Sequence, residues 1–139
     1  MAKFKTKFDS LVKLKKSKID ELQNNISKIT SSLQQELDNL QILENEFATM
    51  NLPKNGNFAL ITQFKMIQKA KIREINQKKS QIEFIQSQIE NLNTQLKEAN
   101  LEYEKIKYLQ AEEIKKYIKK IKNNESKHMD EIALMLYKN

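Results

Sequence analysis

Apolar residues recur along most of this chain at alternating steps of three and four. In the first part Ile19, Leu22, Ile26, Ile29 and Leu33 keep that spacing, and Leu37, Leu40, Leu43 and Phe47 carry the stripe on after one stutter. A second stripe opens less regularly with Phe58, Ile61, Phe64, Ile67, Ile72 and Ile75, then runs Ile82, Ile85, Ile89, Leu92, Leu96, Ala99, Tyr103 and Ile106 in unbroken alternation. A seven-residue repeat of this kind lines one face of a helix and is buried against a partner helix, so the spacing predicts two coiled-coil arms. Beyond Ile106 the stripe loosens through Leu109, Ile114, Tyr117, Ile118 and Ile121. A polar interval, residues 122–128, then separates it from a last apolar group of Met129, Ile132, Ala133, Met135, Leu136 and Tyr137. Periodicity alone does not decide whether the helix frays, bends or runs straight through that interval.

Between the two stripes lies Asn51-Leu52-Pro53-Lys54-Asn55-Gly56-Asn57, which holds the only proline and the only glycine of the 139 residues. Pro53 cannot continue a helix, Gly56 permits positive φ, and Asn55 and Asn57 are turn and N-cap residues. The expected fold is all-α: a long antiparallel two-helix coiled-coil hairpin with an overhanging C-terminal helix, forming one domain over residues 1–139. Its helices are expected at about 4–50 and 58–137, on either side of the turn at 51–57. The arms are unequal, about 70 Å and about 120 Å of helix. Folded back at the turn, residue i should face roughly residue 108 − i, which exhausts the first arm near Glu104 and leaves roughly 30 residues of the second without a mate.

Charge supports an antiparallel arrangement. Residues 1–18 carry seven Lys and one Asp, whereas residues 83–104 carry five Glu and one Lys. A hairpin sets these blocks of opposite sign against each other, while two parallel helices would align like with like.

Composition narrows the function classes. Charged residues make up 31%, Trp and Cys are absent, and Gly and Pro occur once each, the profile of a long helix or coiled coil. No thiolate site or disulfide is available, and one histidine, His128, cannot form a His-pair metal site or an imidazole relay. A phosphate-cradling loop needs more than one glycine. Neighbouring carboxylates such as Asp20/Glu21, Glu112/Glu113 and Asp130/Glu131 have no cleft to shift their pKa and read as surface charge. No catalytic, cofactor-binding or metal-ligating residues are expected, and the chain does not read as an enzyme. The longest apolar run, Ile132–Tyr137, is far shorter than the roughly 18 residues of a membrane span, and the basic start lacks the apolar core of a signal peptide. Lysines gather at residues 3–18 and 115–122, but Arg occurs once, at Arg73, so nucleic acid is not an expected partner.

The unmatched end of the second arm is more informative. Ile114, Tyr117, Ile118, Ile121, Ile132, Met135 and Leu136 would stand on a helix with no mate, at a cost of about 25 cal/mol per Å² of apolar surface left in water. A partner is therefore expected there. At the turn end Phe47, Met50, Leu52, Phe58, Phe64 and Ile67 should mostly pack on one another as an apolar plug, leaving one or two exposed.

Taken together, the unequal hairpin, the tip segment Asn45-Glu46-Phe47 and the C-terminal Lys127-His128-Met129-Asp130-Glu131-Ile132-Ala133 resemble the flagellar type III export proteins of the FliJ/YscO family, which show a Met-Asp-Glu-aromatic/aliphatic-Ala pattern near the C-terminus. The resemblance covers essentially the whole chain, with Phe47 where the family has tyrosine. It implies a non-enzymatic stalk and adaptor of the flagellar export apparatus. The open end of the hairpin would enter the export ATPase hexamer through Met129, Asp130, Glu131 and Ala133, joined by Ile132 and Met135 of the unmatched apolar group. The body would meet the cytoplasmic part of the membrane export gate through Leu40, Leu43, Phe47 and Phe64. Export chaperones are further implied partners, and the implied location is cytoplasmic, peripheral to the membrane at the flagellar base. The alternative is a prefoldin-like or self-associating cytoplasmic coiled-coil chaperone or scaffold, although prefoldin hairpins carry β-strands that seven turn residues cannot supply.

Overall fold

The computed structural model describes residues 4–52 and 56–138. The fold is all-α, two long helices packed against each other as a hairpin: α1 spans Asp9–Ala48 and α2 spans Phe58–Lys138. Of the expected turn residues, Pro53, Lys54 and Asn55 lie outside the described residues. Asn57 caps α2 as expected, its side-chain oxygen accepting the Leu60 N–H at 2.9 Å. α1 ends earlier than expected, where the Thr49 hydroxyl turns back to donate to the carbonyls of Asn45 and Glu46. The polar interval at 122–128 does not break α2, which is helical throughout.

α1 also starts later than the expected Phe4, because Thr6 and Asp9 form a cap. The Thr6 hydroxyl accepts the Phe8 N–H at 3.1 Å and donates to Asp9 Oδ1 at 2.6 Å, while Asp9 Oδ2 accepts the Thr6 N–H at 3.2 Å. This is a reciprocal box with aspartate in the place usually held by glutamate. Thr6 is only 7% exposed, so the cap is also packed. Thr6→Ala is expected to cost about 1 kcal/mol in equilibrium urea unfolding and to speed amide exchange at residues 8–12; an unchanged exchange rate there would rule the cap out as the helix start.

Packing divides the chain into two units, Glu21–Leu96 and the combination of Met1–Asp20 with Lys97–Asn139. In the first, Leu22, Ile75 and Ile82 are buried. Around them, apart from Asn25 and Gly56, the half-buried positions follow one unbroken alternation, Ile26, Ile29, Leu33, Glu36, Leu40, Leu43, Phe47 and Met50 on α1, and Ile61, Phe64, Gln68, Lys71, Lys78, Ile85, Ile89, Leu92 and Leu96 on α2. The stutter at Leu37 is therefore absent. The seam passes through Glu36, and Leu37 stands outside it, exposed. Likewise the irregular opening of the second stripe resolves once Gln68 and Lys71 take the seam positions and Ile67 and Ile72 are exposed. The two seam lysines find carboxylates across the hairpin: Lys78 Nζ reaches Glu36 Oε2 at 2.7 Å, and Lys71 is paired with Glu46.

In the second unit Ile19 is buried, flanked by half-buried Leu11, Val12 and Lys15 on α1 and by Ala99, Tyr103, Ile106, Gln110 and Glu113 on α2. Lys15 binds Glu102 at 2.7 Å, Gln110 donates to Asp9 at 2.8 Å, and Lys7 lies 3.9 Å from Glu113. Phe4 stacks on Tyr117 with ring centroids 3.8 Å apart and planes 5° apart.

These pairs correct the register. Residue numbers across the hairpin add up to between 114 and 121, not 108. Glu46, near the end of α1, is level with Lys71, so the first three turns of α2 precede the level at which α1 stops. A turn centred midway between the helices, as the sequence reading assumed, ignores that offset. Cover on α2 consequently reaches Tyr117, well past Glu104, and the described part of the basic block, residues 4–18, meets the mixed charges of residues 102–117 more than the acidic block at 83–104.

Candidate docking surfaces

Every residue of α2 from Ile114 to Tyr137 is exposed. Tyr117 is stacked on Phe4. Beyond it Ile118, Ile121, Met129, Ile132, Leu134, Met135, Leu136 and Tyr137 are large apolar side chains in water, Tyr137 at 90%. Their angular spacing of 100° per residue gathers Ile114, Tyr117, Ile118, Ile121, Ile132, Met135 and Leu136 within one sector of the helix. Lys115, Lys116, Lys119, Lys120 and Lys122 occupy the remaining circumference of the same stretch. An apolar stripe edged by lysines suits a partner that covers the helix and carries carboxylates. Among the residues singled out from sequence, Met129, Asp130, Glu131, Ile132, Ala133 and Met135 are brought together here, on less than two turns, and Asp130 and Ala133 line a shallow depression with Leu134 and Tyr137.

Leu40, Leu43, Phe47 and Phe64 are placed differently. All four occupy seam positions and are half-buried, so the hairpin itself uses most of their surface. The apolar plug at the turn end forms only in part: Phe47, Met50 and Phe64 are half-buried, but Phe58 is 84% exposed, Ile67 53%, and Leu52 is exposed as well. Met66 and Leu60 add to the same exposed set, and sequence reading missed them because neither continues the apolar alternation.

Electrostatics here fastens the hairpin. The hydrogen bond from Thr6, then that from Gln110, hold the Asp9 carboxyl below its ordinary range, and Lys15 does the same to Glu102. Lys71 is raised by its hydrogen bond to Glu46. A carboxylate with a lowered folded pKa contributes stability above its unfolded pKa and loses it as pH falls through the folded value; a lysine with a raised pKa contributes below its unfolded pKa and loses it as pH rises through the folded one. Between the two windows, through neutral pH, all three contributions are present together. Each group lies at the surface and is screened by salt.

Among the described residues no group of His, Asp or Glu side chains could hold a metal ion, and no helix is long and apolar enough to cross a membrane. No curated protein and no solved structure matches the chain. The family described as Flagellar FliJ protein matches residues 4–139. This span takes in both helices and the exposed C-terminal stretch, so the chain belongs to the FliJ family, the non-catalytic components of the flagellar export apparatus at the flagellar base.

Proposed function

We propose that this chain is the stalk and adaptor of the flagellar export ATPase, entering the ATPase ring with its C-terminal helix and linking the ring to the cytoplasmic part of the export gate, with export chaperones as further cargo partners. The observation that carries the reading is the exposed stretch from Ile114 to Tyr137, a helix with an apolar stripe and a basic surround. The inside of a ring covers such a helix on several sides at once, and acidic subunit surfaces would draw its lysines in. Met129, Asp130, Glu131, Ile132, Ala133 and Met135 form the ATPase-facing end. The gate-facing part is the turn end of the hairpin, where Leu40, Leu43, Phe47 and Phe64 shape the surface from within the seam and Phe58, Met66 and Ile67 stand free beside them. The location that follows is cytoplasmic, peripheral to the membrane.

Capture by the purified export ATPase tests the docking end. Wild type is expected to be retained, and the double variant Ile132→Asp/Met135→Asp to lose at least tenfold in affinity, since two charges enter an apolar contact. Both residues are exposed, so helix content should not change. Equal retention of the two proteins would remove the C-terminal helix from the ATPase contact.

A further inference from the structure

The stripe on the exposed end of α2 is not a continuation of the hairpin seam. Extending the seam past Ile106, Gln110 and Glu113 by its own alternation leads to Tyr117, Lys120, Asn124, Lys127, Glu131 and Leu134, a mostly polar row. The apolar row lies one residue further on, at Ile118, Ile121, Ile132 and Met135, rotated by about 100° around the helix. A longer α1 would not cover it. This face is laid out for a different helix.

The same row keeps strict alternation through its polar centre: Ile118, Ile121, Glu125, His128, Ile132 and Met135 are separated by 3, 4, 3, 4 and 3 residues. The order is apolar, apolar, acid, imidazole, apolar, apolar. Reversed and laid against itself, it matches completely. Ile118 meets Met135 of the second copy, Ile121 meets Ile132, and Glu125 meets His128, so the two polar interruptions pair with each other and every apolar residue meets another. Shifting the antiparallel register by one heptad in either direction sets Glu125 or His128 against isoleucine or methionine. The parallel arrangement in register sets Glu125 on Glu125. Flanking charges favour the same alignment, since Lys119, Lys120 and Lys122 of one copy come level with Asp130, Glu131 and their neighbours on the other.

We infer that the exposed end of α2 pairs antiparallel with the same segment of a second copy, centred on reciprocal Glu125–His128 contacts. The overlap is only about five turns of helix, short for a coiled coil standing alone. The pair is accordingly weak and exchangeable, and it covers Ile132 and Met135, which any other partner of this stripe must also reach. Self-pairing and docking elsewhere are therefore mutually exclusive states of one surface. The inference does not depend on the ATPase reading, because it concerns the chain alone.

Sedimentation equilibrium of the full chain from about 1 µM to about 1 mM is expected to show a growing dimer, abolished by Ile121→Asp with unchanged helix content by circular dichroism. Glu125→Lys should weaken the dimer at least tenfold, and adding His128→Glu to it should restore it, which a general loss of folding would not allow. The absence of cysteine makes the register directly readable. Under mild oxidation, Ile121→Cys mixed with Ile132→Cys should cross-link far more than either variant alone. A chain that stays monomeric throughout the range overturns the inference, as do cross-links formed mainly between like positions. Monomeric chain that co-sediments with vesicles of anionic phospholipid would also overturn it, assigning the stripe to a lipid surface. A chain that stays monomeric without binding vesicles, or cross-links between like positions, would leave capture by the ATPase untouched, so the two readings fail separately.

Discussion

Ile82→Ala is expected to destabilise the hairpin by about 2–3 kcal/mol, at the lower end of the range for truncating a buried isoleucine. Ile82 is 5% exposed and Leu22 3%, and with Ile19 and Ile75 they are the buried apolar side chains among the described residues. The rest of the seam is half-buried, because two helices can enclose a side chain only where neighbouring residues on both close over it. Stability is thus concentrated in few positions, and each has few neighbours able to relax into a cavity. Phe84→Ala supplies the comparison. Phe84 lies two residues away on the same helix, is larger, and is 64% exposed, so its loss should fall within about 0.5 kcal/mol of wild type. Urea unfolding followed by circular dichroism at 222 nm measures both. Similar values for the two variants would mean that the α2 face bearing Ile82 is not the one turned toward α1 in solution.

The contrast between Ile82 and Phe84 also shows what could be read from sequence. Where seam positions are apolar, as from Ile82 to Ile106, spacing located them residue by residue, and helix class, antiparallel pairing and the exposed C-terminal stretch followed. Where the seam is polar the reading slipped to the adjacent hydrophobe, to Leu37 beside Glu36 and to Ile67 and Ile72 beside Gln68 and Lys71. Long polar side chains are tolerated in a two-helix seam because their stems pack while their charged ends reach water or one another. An apolar pattern cannot register them. The offset of the helices was hidden for a related reason, since it depends on how the connection between Ala48 and Phe58 is routed and not on the composition of either helix. The contacts of Asp9 with Gln110, and of Phe4 with Tyr117, join residues about a hundred positions apart, and only the local Thr-x-x-Asp part leaves a trace in the sequence. Exposure of the C-terminal stretch could be read because it follows from having no mate, and Ile132 and Met135 were singled out on that ground; Met129, Asp130, Glu131 and Ala133, like Leu40, Leu43, Phe47 and Phe64, were chosen by resemblance, and the last four lie on the seam.

The polar seam supports a second large effect, of opposite sign for single and double substitutions. Glu36 and Lys78 are each about three-quarters buried, with side-chain exposures of 25% and 23%, and their contact is 2.7 Å. Removing one partner as Glu36→Ala leaves the Lys78 ammonium at a seam position with no carboxylate, and should cost about 1–3 kcal/mol. Replacing both, Glu36→Leu/Lys78→Leu, should instead raise stability above wild type by about 1–2 kcal/mol, because desolvating two charges offsets much of their attraction and two leucines fill the same layer without that cost. The pair would then act on specificity more than on stability. With leucine at both positions the α1 row becomes apolar without interruption from Ile19 to Met50, and the α2 row from Ile75 to Tyr103, so neither row distinguishes its intramolecular mate from a helix of another copy or from a heptad-shifted register. The double variant should therefore be more resistant to urea and also associate through its seam, a dependence on concentration that Ile121→Asp would not remove. A double variant less stable than Glu36→Ala would show that the ion pair stabilises the hairpin outright, and a double variant as well-behaved as wild type would show that register is set by the flanking pairs Lys71–Glu46 and Lys15–Glu102.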